Sequence, residues 1–161
     1  MPAARIAKIV SGGQTGVDRA ALDAGIAIGI PYGGWCPKGG LAEDMPDPPG
    51  LLEPYPELTE TPSDDVSQRT EWNVRDSDAT LIIRPEGSKS PGTDLTIELA
   101  ARMNRPCRTV DPESNDAVAE VLAFIESIGP EAVLNVAGPR ESGAPGIYEA
   151  ARDLLTRSLS N

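Results

Sequence analysis

Apolar and polar positions along this chain fall into two alternating kinds of block. Short apolar or mixed runs at residues 6–10, 31–35, 79–83, 106–110 and 132–136 are bounded by glycine, proline or polar clusters, as strands are. The stretches between them repeat their apolar residues at helical spacing. Val17, Ala21, Ala24 and Ile28 form one such face, stopped by Gly29 and Pro31. Leu95, Leu99 and Met103 stand four apart in a helix predicted over residues 92–104, and Val118, Val121, Leu122, Ile125 and Ile128 form the inward face of one over 114–128. Ser63, Asp64 and Asp65 signal the start of a helix over 66–76, where their acidity suits the positive helix end. A last helix follows Pro145, with Ile147, Ala150, Ala151, Leu154 and Leu155 inward. The stretch from Cys36 to about Pro62 holds Pro46, Pro48, Pro49, Pro54 and Pro56 and reads as one long irregular segment. A segment of that length inside a compact domain is usually functional or disordered, and the motifs beside it favour function.

Strand and helix in strict alternation predict right-handed crossovers. The expected fold is therefore α/β and Rossmann-like: a doubly wound, mostly parallel sheet of about five strands with helices on both faces. The 161 residues fit a single domain, 1–161, with no internal repeat. A domain of this size buries roughly 70% of its unfolded surface and needs no disulfide or metal to fold.

Composition narrows the chemistry. The chain has no histidine, which removes Ser-His-Asp triads, Cys-His pairs and His-ligated metals. A net charge of −11 without a basic run argues against nucleic acid as a partner. An anion then needs a local site that overrides the global field. No apolar run approaches the ~20 residues of a membrane span, and no signal-peptide pattern opens the chain. Cys36 and Cys107 read as reduced thiols of a cytoplasmic protein, and Cys36, with no histidine, makes no metal site.

In an open parallel sheet, ligands bind beyond the carboxyl ends of the strands. After the first strand, Gly12, Gly13, Gln14, Thr15 and Gly16 lead into a helix whose first turn carries Arg19. Such a turn lets backbone N–H groups approach an anion, although it is neither G-x-G-x-x-G nor a P-loop, and a plain tight turn uses glycines too. After the second strand region, Gly34, Trp35 and Lys38 offer a stacking ring and a point charge; otherwise Trp35 caps the core and Lys38 is solvated. Arg69 and Asn73 share one helix face, which taken alone reads as ordinary and exposed. Gly92 and Thr93 open a second helix N-terminus, an anion site or a capped turn. Asn135, Gly138, Arg140 and Ser142 follow the last strand, with Arg140 the best-placed guanidinium. Several anion-competent turns on one sheet edge favour a ligand site over a set of unrelated turns.

The segments at residues 11–19 (SGGQTGVDR), 33–39 (GGWCPKG), 68–78 (QRTEWNVRDSD) and 135–142 (NVAGPRES) resemble the signature segments of the molybdenum-cofactor carrier family, across nearly the whole chain. That family is similar in fold to the Lonely Guy and DNA-processing protein A group. The resemblance implies a non-catalytic protein that binds, protects and passes on molybdenum cofactor, a phosphate-bearing pterin. The cofactor would be cargo, with no metal ligated by the protein itself. It implies a homodimer or homotetramer, with molybdoenzymes or their maturation proteins as partners. By resemblance, Gly12, Gly13, Thr15 and Gly16 hold phosphate, and Arg19, Lys38, Gly92, Thr93 and Arg140 line the same pocket.

Two alternatives stand beside it. One is a nucleotide-binding sensor. The other is a nucleoside monophosphate phosphoribohydrolase of the Lonely Guy kind, whose signature P-G-G-x-G-T-x-x-E finds only Gly92-Thr93 here, with Thr96 in place of the glutamate. Glu98 lies roughly 200° further round a helix. Asp94 and Glu98 read as a helix-start carboxylate and a solvated one.

Overall fold

The computed structural model describes residues 6–160. Its elements run β1 (Ile6–Val10), α1 (Val17–Ile28), β2 (Tyr32–Cys36), β3 (Leu58–Glu60), α2 (Val66–Arg75), β4 (Ala79–Ile83), α3 (Pro91–Arg102), β5 (Cys107–Val110), α4 (Ala117–Ile128), β6 (Ala132–Ala137) and α5 (Ile147–Leu159). All strand pairs are parallel, in the order β3-β2-β1-β6-β4-β5. This is the expected Rossmann-like, doubly wound α/β fold, with six strands.

The sheet winds in two directions. From β1 through α1 the chain moves outward to β2 and β3; from β4 through α3 it moves the other way to β5. Right-handed crossovers then put α1 and α4 on one face and α2 and α3 on the other. The packing agrees: α5 lies against both α1 and α4, and α2 lies against α3. Between β1 and β4 the last strand, β6, fills the gap, pairing Ile9 with Leu134 on one side and Leu81 with Val136 on the other.

Burial follows the sequence pattern. Every residue of β4 is buried, as its unbroken apolar run requires of a strand covered on both sides. Leu81, Ile83, Leu134 and Val136 meet Val17, Ala21, Ala24, Val121, Ile125, Ala151 and Leu155 in the main core. Each such aliphatic side chain contributes roughly 1.5–3 kcal/mol on burial. A smaller cluster of Val74, Leu99 and Ala100 lies under α2 and α3.

The segment expected to be irregular contains β3 and two single 3₁₀ turns, Lys38–Gly40 and Gly50–Leu52. Leu58–Glu60 pairs with Gly34, Trp35 and Cys36 as an edge strand. Three residues with one buried side chain show no readable period, so the pattern along the chain hides it. The segment is tied down by Leu51, which is fully buried beside Leu22, Cys36 and Leu58. Two helix starts also differ. α4 begins at Ala117, after a turn in which Ala117 N–H donates to Ser114 O, and α5 begins at Ile147, with Gly146 in the left-handed conformation before it. Asp65 caps α2 as its sequence suggests, accepting from Ser67 N–H at 2.9 Å.

Candidate functional site

A cleft of about 330 Å³ opens above the carboxyl end of β6, where the winding direction of the sheet reverses. This is the position at which open α/β sheets bind ligands. Its wall takes Gly12, Gln14 and Asp18 from the β1 side, Arg69, Thr70 and Asn73 from α2, Lys89 to Thr93 and Thr96 from the α3 end, and Asn135, Ala137 to Arg140 and Gly143 from β6 and its loop.

The floor is rigid. Asn135, nearly inaccessible, donates from Nδ2 to Thr80 Oγ1 at 3.3 Å. Gly138 packs so closely that a Cβ would lie 2.2 Å from Ile83 O. Arg69 and Asn73 correct the reading of their helix face as exposed: both are buried, the first about 9% accessible and the second about 3%. Asn73 clamps β2, accepting from Trp35 N–H at 2.7 Å and donating to Trp35 O at 2.9 Å. Arg69 donates from Nη1 to Gly12 O at 2.8 Å. Spacing alone misses this burial, because the segment is polar throughout and the contacts that bury it are 38 and 57 residues away.

The two glycine-bearing helix starts differ in how far their groups are already engaged. At the β1–α1 turn, Ser11 Oγ donates to Asp18 O and accepts from Gly13 N–H. Val17 N–H donates to Pro139 O at 3.2 Å. Gly16, at φ 77°, lies so near that loop that a Cβ would meet Pro139 O at 2.3 Å. Asp18 stands in the first turn of α1, buried and lining the cleft. Burial pushes its carboxyl up to about 6, against the opposing pull of Arg69, a backbone hydrogen bond from Gln14, and the charges of Arg19 and Arg140. The same burial pulls the Arg69 guanidinium down. At the start of α3, Ser90 Oγ and Thr93 Oγ1 lie 2.6 Å apart, and no side chain caps the helix. Among the described residues, the N–H groups of Gly92 and Thr93 have no acceptor, and Lys89 lies beside them on the cleft wall.

Of the residues singled out from sequence, Gly12, Gln14, Arg69, Asn73, Gly92, Thr93, Asn135, Gly138 and Arg140 line the cleft. The others lie behind or beside it. Gly13 faces Leu51 and Leu58, and Gly34 backs onto the Ser11 backbone. Arg19 holds Gly13 O at 3.1 Å and grips Asp44 with two hydrogen bonds, 2.9 and 2.8 Å. Trp35 Nε1 donates to Asp76 at 2.8 Å, with its ring edge-on to Trp72. Lys38 opens a 3₁₀ turn tied to Ser63 O. Thr15 and Ser142 both donate to Glu43, which lies 3.8 Å from the Arg140 guanidinium and is held below the usual carboxylate range chiefly by those hydroxyls. Sequence reasoning gave no role to Asp18, Thr70, Lys89, Ser90 or Thr96. Asp18 stands in the first turn of α1, where an acid ordinarily serves the helix end, so its place in the chain does not announce its burial.

Glu98 and Asp94 face away from the cleft chemistry. Glu98 pairs with Arg102 and Asp94 with Arg84, and both carboxylates are more than half exposed. Thr96, at the position a phosphoribohydrolase glutamate would take, donates instead to Gly92 O at 3.0 Å. No group of three or more His, Cys, Asp and Glu gathers among the described residues, and no described helix is long and apolar enough to cross a membrane.

A parallel sheet whose winding reverses over a cleft lined by arginines, a lysine and an open helix start defines a Rossmann-like protein with a candidate ligand site at the switch point of its sheet. The sequence matches the Circularly permutated YpsA SLOG family over residues 9–159, and the chain belongs to that family. It is also similar to the "Putative molybdenum carrier protein" of Syntrophus aciditrophicus, known from a 1.45 Å crystal structure. The two share 46% identity over 96% of each chain, with a TM-score of 0.86. Among curated proteins, none matches.

Proposed function

We propose that this protein binds molybdenum cofactor in the cleft above β6, shields it and delivers it to a recipient molybdoenzyme, as a non-catalytic cytoplasmic carrier. The carrying observation is the cleft at the winding reversal, with buried Arg69 on one wall and the uncapped start of α3 on the other. The name borne by the similar Syntrophus protein supports the same cargo. An anionic, phosphate-bearing pterin suits these donors. The terminal phosphate takes the Gly92 and Thr93 N–H groups and the Lys89 charge, where the helix field favours an anion. Arg69 and Arg140 supply guanidinium donors to further oxygens. Delivery of a cargo needs no general base.

Anaerobic calorimetry with purified protein tests this reading. Molybdenum cofactor is expected to bind more tightly than AMP or cyclic nucleotides, and Arg69→Gln or Arg140→Ala to weaken it at least tenfold. Nucleotide binding alone, with ribose 5-phosphate released, overturns the reading in favour of a hydrolase. Nucleotide binding without turnover moves the protein to the sensor class.

A further inference from the structure

Asp18 is the single carboxylate among the described residues that line the cleft. It is about 8% accessible, and among the described residues no cation forms an ion pair with it. The nearest candidate on its own helix, Arg19, is engaged by Asp44 and Gly13 O. Arg69 spends one nitrogen on Gly12 O and reaches Asp18 only through space. Arg140 faces it from the β6–α5 loop at longer range, and Lys89 stands on the opposite wall beside α3. Among the described residues, the donor to its carboxylate is the Gln14 backbone. A desolvated carboxylate left this short of donors is costly in the free protein and is stabilised by any ligand that brings donors to it.

The position in the cleft says which end of the ligand arrives there. β1 and β4 flank β6, so the starts of α1 and α3 lie two strand spacings apart, about 10 Å along the sheet. The α3 end presents free N–H groups and Lys89 and takes negative charge. The α1 end presents a carboxylate and rejects it. A ligand spanning both is polarised: phosphate at α3, hydrogen-bond donors at Asp18. Two adjacent N–H donors match the two oxygens of the Asp18 carboxylate.

We propose that Asp18 is the specificity residue of the cleft and reads the adjacent ring N–H and exocyclic amino group of a 2-amino-4-oxo-pyrimidine edge, the donor pair shared by guanine and pterin rings. The proposal rests on the ligand-binding reading of the cleft and narrows it to one ring chemistry. Bidentate N–H donation to a carboxylate is charge-assisted, and a site built for such a pair rejects a ring that lacks one donor.

The test uses the full chain and compares guanosine, inosine, adenosine and xanthosine 5′-monophosphates with 6-hydroxymethylpterin phosphate, by calorimetry at pH 7.5. The guanine and pterin compounds are expected to bind, and the inosine compound, which lacks the amino group, to bind at least tenfold more weakly. A preference between the first two identifies which ring the cleft was built for. Asp18→Asn, whose folding is checked by thermal melting, should lose the guanine preference and gain affinity for the xanthine compound, which presents an oxygen in place of the amino group. Equal binding of guanosine and inosine monophosphates by the wild-type protein overturns the proposal, as does a preference that survives Asp18→Asn. The outcomes separate from the carrier reading. Cofactor binding that ignores Asp18→Asn sinks this proposal and leaves the carrier standing. Asp18-dependent guanine selectivity without cofactor binding does the reverse.

Discussion

The turns after β1 and after β4 both bring glycines from a parallel strand into a helix, yet they are built for opposite ends. The first is closed by the protein's own groups: Gly16 against Pro139, Arg19 on Asp44, Ser11 bridging Gly13 and Asp18. The second is open, with no atom within 4 Å of a Cβ placed on Gly92 and no side chain capping the helix. A glycine-bearing strand-to-helix turn thus records only that the backbone passes closely by something. In the first turn that neighbour is the protein itself, while the second leaves its N–H groups to the cleft.

The sharpest way to break this contrast is to add one methyl group to each turn. Gly16→Ala must hold a positive φ and drive a methyl into Pro139 O, and is expected to lose upwards of about 3 kcal/mol in denaturant unfolding. Gly92→Ala meets open space in a helix and should leave stability unchanged or raise it by up to about 1 kcal/mol. Similar losses at both sites would erase the distinction.

Next in size is the charge stored in the closed turn. The Asp18 carboxyl is pushed from 3.8 up to about 6 by burial. Well below pH 3.8 neither the folded nor the unfolded chain carries this charge. As pH rises to about 6 the unfolded chain ionises first, so the contribution of the neutral acid is lost and the ligand-free protein weakens by about 3 kcal/mol. An arginine guanidinium keeps its charge throughout this range, so Arg69 and Arg19 beside it add no slope. Asp18→Asn is therefore expected to be more stable than wild type at pH 7.5 and to converge with it well below pH 3.8, as read by melting temperature across pH.

Smaller effects belong to the open side. Arg69→Gln should weaken inorganic phosphate binding by about 1.5–3 kcal/mol, since it removes a charged donor from a buried wall. Lys89→Ala should cost at most about 1 kcal/mol, and raising salt should abolish that difference, because its charge is solvated. A salt-insensitive loss at Lys89 would place it in the buried wall with Arg69.

Much of this architecture is legible along the chain. The alternation of apolar runs and helical faces gives the sheet and its helices, because β4 carries the unbroken apolar run and α4 the helical period that burial demands. β3 escapes, since its three residues owe their pairing to β2 rather than to any pattern of their own. The site divides the same way. Glycine turns mark where the backbone passes near something, so Gly12, Gly92 and Gly138 stand out. Whether the neighbour is ligand or protein depends on contacts from distant segments, such as Glu43 on Ser142 or Arg69 on Gly12, and no local spacing encodes those. Asp18 is hidden for a related reason. An acid at a helix start normally serves the helix, and only the walls supplied by α2 and β6 turn it into a buried group.

The pairing of β1 with β6 also bears on how the protein comes into being. The cleft's floor joins segments more than a hundred residues apart, with Ile9 set against Leu134. Contacts of that separation carry a loop-closure cost that slows folding, and they form late. During synthesis, β1 waits beside a vacant place in the sheet until β6 emerges to fill it. Neither the Asp18 wall nor the α3 wall has a partner across the gap before then. A nascent or misassembled chain accordingly has no cleft to load, and occupancy becomes a report on successful assembly.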